Sequence, residues 1–354
     1  MYNALDNDIY KITCLELFWK HPKLSQANAT YKVFTRRSKW PFKKYEHLKN
    51  TLNKAASIRF TIDDINYLQS LNKFSEDFLN WLRCRALQTK HISLFSDHIE
   101  ITGPLLDITL WEIPILSAIN ELNQKTLSRE DWMYLSSKYS YDLGKLHQCQ
   151  FAEFGSRRRH SLEVQEFFIE HCLLHKLPNF LGTSNLYLAK KYGIQPIGTI
   201  PHEYPMALLA VCGEENAAND VMCASLPDDS IMLTDTFTTD QFLRNVDKED
   251  FERFAGVRQD SGDPIEIGLK IVNHYHTLCI DPMTKTIIFS DGLNPDKCVE
   301  IQEKFKNKIG VKFGIGTYFS NPFNPIDCVM KLVNIDGKRV YKISDNLEKS
   351  TKNV

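Results

Sequence analysis

Four short segments in the second half of the chain end in residues able to hold a sugar or a phosphate: Leu233-Thr234-Asp235-Thr236, Arg258-Gln259-Asp260-Ser261-Gly262-Asp263, Ser290-Asp291-Gly292 and Gly314-Ile315-Gly316-Thr317. Carboxylates accept hydrogen bonds from vicinal hydroxyls, so Asp260 and Asp291 suit a ribose. Ser261-Gly262 and Gly316-Thr317 lack bulk and leave backbone N–H groups open to an anion, especially at the start of a helix. Arg258 offers a planar fork that pairs with phosphate oxygens in bidentate fashion. Taken singly each has a plainer explanation, because a glycine after a strand is usually a turn and an aspartate there often caps a helix. Arriving together at one edge, they favour a ligand.

A second constellation lies upstream. Glu153-Phe154-Gly155-Ser156-Arg157-Arg158-Arg159-His160 sets three arginines beside a small-residue turn, either a solvated face or a binding turn. Leu181-Gly182-Thr183-Ser184-Asn185 and Gly198-Thr199-Ile200-Pro201-His202-Glu203 are polar loops after short apolar stretches. His202 could be a base, a nucleophile or a core histidine; its loop position and the adjoining Glu203 favour function.

These residues need a frame that brings them to one side. Asp235, Asp260, Asp291 and Gly316 are spaced by 25, 31 and 25 residues, the length of a strand–helix unit. Ile231 to Leu233, Phe254 to Val257, Thr286 to Phe289 and Val311 to Ile315 read as the strands. Pro264 suits a first helical turn, with Ile267, Ile271 and Tyr275 on one face, and Asn294 can cap the next helix. Parallel strands joined by helices place all their C-terminal ends on one edge, where ligands bind in α/β proteins. The first 145 residues are mixed. Ala29 to Thr35 reads as a strand, and Ile65 to Arg85 carries a helix-period stripe divisible into two helices. Asp97 to Leu110 reads as two strands around Gly103-Pro104, and Glu112 to Leu122 as a helix.

Composition narrows the class. A chain of 354 residues with 43% hydrophobic and 25% charged residues is globular and large enough for about two domains. Its formal net charge of −1 argues against coating nucleic acid; the basic residues cluster locally, at Arg36-Arg37 and Arg157 to Arg159. Nine scattered cysteines, with no Cys-x-x-Cys pair, read as free thiols in a reducing compartment. The polar start Met1 to Asp6 is no signal peptide, and the apolar stretch around Met206 to Cys212 is too short for a bilayer, so a cytoplasmic protein is expected. There is no phosphate-binding Gly-x-x-x-x-Gly-Lys-Ser/Thr loop, Gly-x-Gly-x-x-Gly, His-Glu-x-x-His or Gly-x-Ser-x-Gly motif.

The combination resembles the nicotinate phosphoribosyltransferase family, in its bacterial form. The matching segments are Leu5 to Lys11, Glu153 to Arg159, Gly182 to Asn185, Gly198 to Glu203, Leu233 to Phe237, Arg258 to Pro264, Ser290 to Leu293, Gly314 to Thr317 and Lys342 to Asn346. The resemblance implies an α/β fold: an N-terminal mixed α/β domain over residues 1–145, joined by 331–354, packed on an irregular, incomplete TIM-like α/β barrel over 146–330. It implies transfer of ribosyl 5-phosphate from phosphoribosyl pyrophosphate to nicotinate in NAD salvage, coupled to ATP through a phosphohistidine at His202. It implies Mg²⁺, without assigning metal ligands, and a homodimer with shared active sites.

On this resemblance His202, Arg258, Asp260 and Asp291 are the catalytic set. Tyr10 (offered from a partner subunit), Phe154, Arg157, Thr183, Ser184, Ser261, Gly262, Gly292, Gly316 and Thr317 bind substrate, and Lys11 and Arg37 are phosphate contacts. Related enzymes that use nicotinamide carry aspartate where this chain has Ser184, whose hydroxyl can instead donate to nicotinate. The chain departs from the bacterial pattern at Tyr204-Pro205, at Gln259, and in ending at Val354, several tens of residues earlier than is usual. The alternatives are a nicotinamide or quinolinate phosphoribosyltransferase, or an inactive sugar-phosphate-binding homologue.

Overall fold

A computed structural model describes residues 3–36, 44–346 and 349–351. It is built on two sheets. The first contains β1 (Asn28–Thr35), β2 (Ile92–Leu94), β3 (Ile99–Pro104), β10 (Cys328–Ile335) and β11 (Lys338–Arg339), in the antiparallel order β11-β10-β1-β3-β2. Alternation drives its pairing: Ala29, Tyr31 and Val33 of β1 point to the core while Lys32 faces Glu100 across the strands.

The second sheet is wholly parallel. It comprises β4 (Phe151–Glu153), β5 (Phe180–Thr183), β6 (Ile231–Leu233), β7 (Gly256–Gln259), β8 (Thr286–Phe289) and β9 (Gly310–Ile315), in the order β5-β4-β9-β8-β7-β6. Its strands are short and apolar on both faces, as in Ile287, Ile288 and Phe289, because helices cover each side. The array is incomplete: among the described residues β6 pairs on one side only, and beyond β4 the strand β5 meets just an isolated parallel bridge from Thr183 to Pro196. Helices Pro264–Thr277 and Pro295–Phe305 begin as expected, with proline in the first turn and Asp263 and Asn294 accepting backbone N–H groups. One contiguous core runs through both sheets and includes Tyr31, Trp111, Phe151, Phe289 and Phe319; Phe168 and Phe319 stack at 4.0 Å.

Two local expectations change, and the stripe from Ile65 to Arg85 resolves into its two helices. Gly103-Pro104 is no hairpin turn: β3 runs through to Pro104 and a helical turn, Leu105–Ile108, follows at once. Glycine is needed at 103 because a side chain would strike the His91 ring, and proline, having no N–H to leave unpaired, suits a helix start. The stripe from Ile65 to Arg85 splits into helices Ile62–Ser70 and Glu76–Arg83, the first held by a capping box of Thr61 and Asp64. The strand expected from Phe254 begins at Gly256 and runs through Gln259, so Arg258 lies inside β7.

Beyond β11 the chain returns across the ends of β6 and β7. Ile343 N–H donates to the Thr236 carbonyl at 2.8 Å, Ser344 Oγ lies 2.9 Å from Ser261 Oγ, and the Asp345 carboxylate takes both the N–H and the hydroxyl of Thr239. This strap lies on the edge that carries the candidate chemistry.

Candidate active site

Arg258 projects from β7 and uses its whole guanidinium. Nε donates to Ser290 Oγ at 2.9 Å, one terminal nitrogen to Thr199 Oγ1 at 2.9 Å, and the other lies 3.0 Å from Asp260 Oδ1. Ser290 also donates to Asp260 Oδ1, at 2.9 Å. Burial raises the Asp260 carboxyl's proton affinity, but Arg258, His202 and the lysines of the strap outweigh it and hold the group well below the ordinary carboxylate range. Asp291, at the end of β8, pairs with Lys349 at 2.6 Å. Lys349 also donates to the Asp260 backbone carbonyl, so the strap holds the carboxylate of one expected ribose contact and the backbone of the other.

The small residues divide by role. Gly292 (φ 58°) has open space where a side chain would be, so glycine there answers to the backbone's left-handed turn and not to crowding. Gly316 lets the chain pass the Phe154 carbonyl, which a β-carbon would approach to 2.8 Å, and Thr317 opens the short helix Thr317–Ser320. Gly262 (φ 80°) turns the chain after β7, while buried Gln259 holds that turn by donating to the Ser261 and Gly262 carbonyls. Ser261 is fully buried and its hydroxyl donates to Asp235. Its side chain therefore belongs to the frame.

His202 stands at the start of helix Glu203–Cys212. Its Nδ1 is 3.0 Å from Thr236 Oγ1, and its Nε2 is 2.7 Å from Lys342 Nζ and 3.1 Å from Asp260 Oδ2. Lys342 also holds Asp235 Oδ2 at 2.8 Å. Asp235 Oδ1, buried and without a hydrogen-bond partner, lies 3.6 Å from Nε2. Burial, then the Lys342 charge, push the imidazole down to about 4 against the pull of Asp235 and Asp260. Neutral at physiological pH, it keeps a lone pair for nucleophilic or base chemistry.

The third face gathers aromatic and charged groups from the N-terminal helix and the β4 loop. The Phe154 ring lies over Gly314, where any β-carbon would be 2.4 Å from it. Arg157 is exposed, with a guanidinium nitrogen 3.6 Å from Glu112. Within the single chain Tyr10 lies on this face: Ile9 N–H donates to the Ser184 carbonyl, and helix Ile9–Lys20 packs on Gly198. The Tyr10 hydroxyl is buried without a hydrogen-bond partner and feels Glu112 and Arg157 most strongly.

Other expectations are redrawn here. Ser184 and Ser156 both donate to Asp8 Oδ1, at 2.8 and 2.6 Å, so the Ser184 hydroxyl is already engaged with a carboxylate. Burial raises the Asp8 carboxyl above its ordinary value despite these donors. Thr183 is fully buried and donates to Glu153, as Gln165 does. It shapes the loop from beneath. Lys11 is no phosphate contact, because it is buried between Glu203 and Glu112 at 2.6 and 3.1 Å. Arg37 lies outside the described residues. Beneath this face Arg159, fully buried, grips Asp6 through two nitrogens and Glu121 through a third.

Lys342, Lys349, Thr199 and Ser290 lie in quoted segments or beside them, yet nothing in residue type marked them as site groups. Among the described residues no set of three or more His, Cys, Asp or Glu side chains could hold a metal ion, and no helix is long and apolar enough to cross a membrane.

Comparison with known proteins places this arrangement. Residues 149–354 match the Nicotinate phosphoribosyltransferase (NAPRTase) family and residues 5–120 match the NAPRTase N-terminal domain. The chain is similar to the nicotinate phosphoribosyltransferase of Chromobacterium violaceum, 34% identical over 97% of this chain and 92% of that protein. It is also similar to the solved structure of a Saccharomyces cerevisiae relative, with a TM-score of 0.92 at 32% identity over 99% of this chain and 94% of the other. The crystal structure of nicotinate phosphoribosyltransferase from Porphyromonas gingivalis gives a TM-score of 0.91 at 30% identity, covering 99% and 96%.

Proposed function

The chain belongs to the nicotinate phosphoribosyltransferase family, and from that membership we propose that it transfers ribosyl 5-phosphate from phosphoribosyl pyrophosphate to nicotinate. The products are nicotinate mononucleotide and pyrophosphate, an NAD-salvage step working in the cytoplasm. The observation that carries the site assignment is the joining of Arg258, Asp260 and His202 by direct contacts at the ends of parallel strands.

Breaking the ribosyl–pyrophosphate bond builds positive charge on the sugar and negative charge on the leaving group. Asp260 and Asp291 accept hydrogen bonds from the ribose hydroxyls and keep their negative charge beside the developing cation. Arg258 meets the anionic oxygens, and the open backbone at Gly262, Gly292, Gly316 and Thr317 supplies further donors. The attacking atom is the ring nitrogen of nicotinate, so the protein supplies no nucleophile for this step. Phe154 and Tyr10 form walls for the pyridine, and Arg157 neutralises its carboxylate. ATP is a co-substrate whose phosphoryl group passes to His202, at the helix N-terminus that favours an anion. Magnesium fits as the partner of the phosphates rather than as a caged ion, since the described carboxylates form no such cage. The same reading takes 1–145 with 331–354 as one unit and 146–330 as the other, and has two chains working as a homodimer.

Incubation with phosphoribosyl pyrophosphate and nicotinate is expected to give mononucleotide and pyrophosphate, faster with ATP. No product with or without ATP would sink the enzymatic reading. With labelled ATP the protein should carry an acid-labile phosphate, and His202→Ala should remove both label and stimulation while basal transfer continues. A label that survives in His202→Ala assigns the phosphohistidine elsewhere.

Selection of the acid over the amide gives a further expected result. An aspartate at 184 would face Asp8, now 2.8 Å from the serine hydroxyl, and add a second carboxylate near Arg157. Ser184→Asp is therefore expected to lower kcat/KM for nicotinate by at least about tenfold relative to nicotinamide, one unfavourable charge contact being worth at least about 1.4 kcal/mol here. An unchanged ratio in competition assays would overturn this account of specificity.

A further inference from the structure

We propose that Lys342 is a positioning residue for the ATP-coupled half-reaction: it holds His202 as the uncharged imidazole that accepts the phosphoryl group. The proposal rests on the reading of His202 given above. An ammonium has three donors and no acceptor, so a ring nitrogen 2.7 Å from it must present its lone pair. In that tautomer the ring's one hydrogen sits on Nδ1 against Thr236 Oγ1, whereas a proton on Nε2 would point to Asp260 Oδ2 at 3.1 Å, the arrangement that Lys342 opposes.

The charges around the ring make that hold necessary. Asp235 approaches from the end of β6 and Asp260 from the end of β7, both within 3.6 Å of Nε2. Arg258 is committed to Asp260, and Lys349 faces Asp291 and the Asp260 carbonyl. On the ring's own helix, Glu203 turns away to Lys11. Two carboxylates against one imidazole would draw a second proton onto it. Lys342 supplies the opposing charge, nearly buried itself, with its second hydrogen bond on Asp235.

Lys342 is firmly placed. Its own N–H donates to Thr351 Oγ1 at 2.6 Å, and the next residue's N–H donates to the Thr236 carbonyl, on the residue that also meets Nδ1.

The chemistry requires the uncharged ring. In the transfer, a ring lone pair forms the nitrogen–phosphorus bond while the bond from the γ-phosphorus to the bridging oxygen breaks, and ADP leaves with that electron pair. A ring protonated on both nitrogens has no such lone pair. Burial and the Lys342 charge together depress the imidazole; without Lys342, burial alone opposes Asp235 and Asp260, and the imidazole rises.

The test compares the full-length wild type, Lys342→Met and Lys342→Arg. The imidazole signal of His202, identified by its loss in His202→Ala, is titrated by NMR, and the initial rate of protein labelling from ATP is followed from about pH 4.5 to pH 9. Losing one adjacent charge shifts such a group by about one pH unit or more. Lys342→Met is therefore expected to titrate at least that much higher, and its labelling rate to fall in step with the protonated fraction, about tenfold one pH unit below the raised value, with recovery at higher pH. Lys342→Arg should stay close to wild type in both, which separates lost charge from lost folding. Superimposable titrations and profiles for wild type and Lys342→Met would overturn the proposal. If the wild type takes no label, the phosphohistidine reading fails, and the titration alone then decides whether Lys342 keeps the ring uncharged.

Discussion

Replacing Arg258 with alanine is expected to lower kcat by about 10²–10³-fold, the usual cost of removing one preorganised donor to developing negative charge. The effect should fall mainly on kcat, because charge on the leaving group grows as its bond to the sugar breaks. Arg258 has a second task, since its three contacts align Thr199, Ser290 and Asp260. Without it Asp260 loses its foremost counter-charge and turns toward His202. The charge-preserving Arg258→Lys variant would present a single ammonium where a planar fork now reaches three partners, so it should recover little of the loss. Steady-state kinetics at saturating nicotinate would decide. A raised KM for phosphoribosyl pyrophosphate with kcat intact would confine Arg258 to ground-state binding.

The largest effect on stability is expected at a residue with no chemical task. Arg159 and Asp6 are both fully buried and joined by two hydrogen bonds of 2.7 and 2.8 Å; Glu121, Gln165 and Asn185 complete the network. Burial alone would raise Asp6, but the Arg159 charge and hydrogen bonds bring its carboxyl down to about 2. Arg159→Met strands that carboxylate, which should cost about 3–5 kcal/mol. Thermal unfolding near neutral pH should move down by roughly 5–10 °C. The sign follows from the shift: a folded-state value below the unfolded one stabilises the protein above the unfolded value and is lost as pH falls through the folded one. The penalty of the variant should accordingly shrink in acid, and removing the stranded charge with Asp6→Asn should restore part of the loss. An unchanged melting point would show that water reaches this network.

The strand–loop–helix units from Asp235 to Thr317 were legible because each is local. A few apolar residues, a polar strand end and a helix cap lie within some thirty residues, and their spacing repeats. Ser161, Asp263 and Asn294 cap their helices as residue type alone predicts. What stayed hidden was made by distance. Lys342 meets His202 across 140 residues, and Ser184 meets Asp8 across 176. Gly103-Pro104 failed differently: it has the composition of a turn, but the glycine answers to the His91 ring, a tertiary neighbour. Thr183 and Ser261 have the right chemistry for a ligand at the right edge, yet their hydroxyls face inward to Glu153 and Asp235. Residue type reports what a side chain can do, and burial decides whether a substrate meets it.

The pairing of β1 with β10 also constrains how the molecule comes to exist. Asn28 and Asp336 are hydrogen-bonded across a separation of 308 residues, so one edge of the first sheet stays uncovered until nearly all the chain has been synthesised. The nascent protein must keep an apolar, unpaired strand from finding the wrong partner for most of its time on the ribosome. Only when β10 docks can the strap that follows it bring Lys342 to His202, so catalytic competence should be among the last properties acquired in folding.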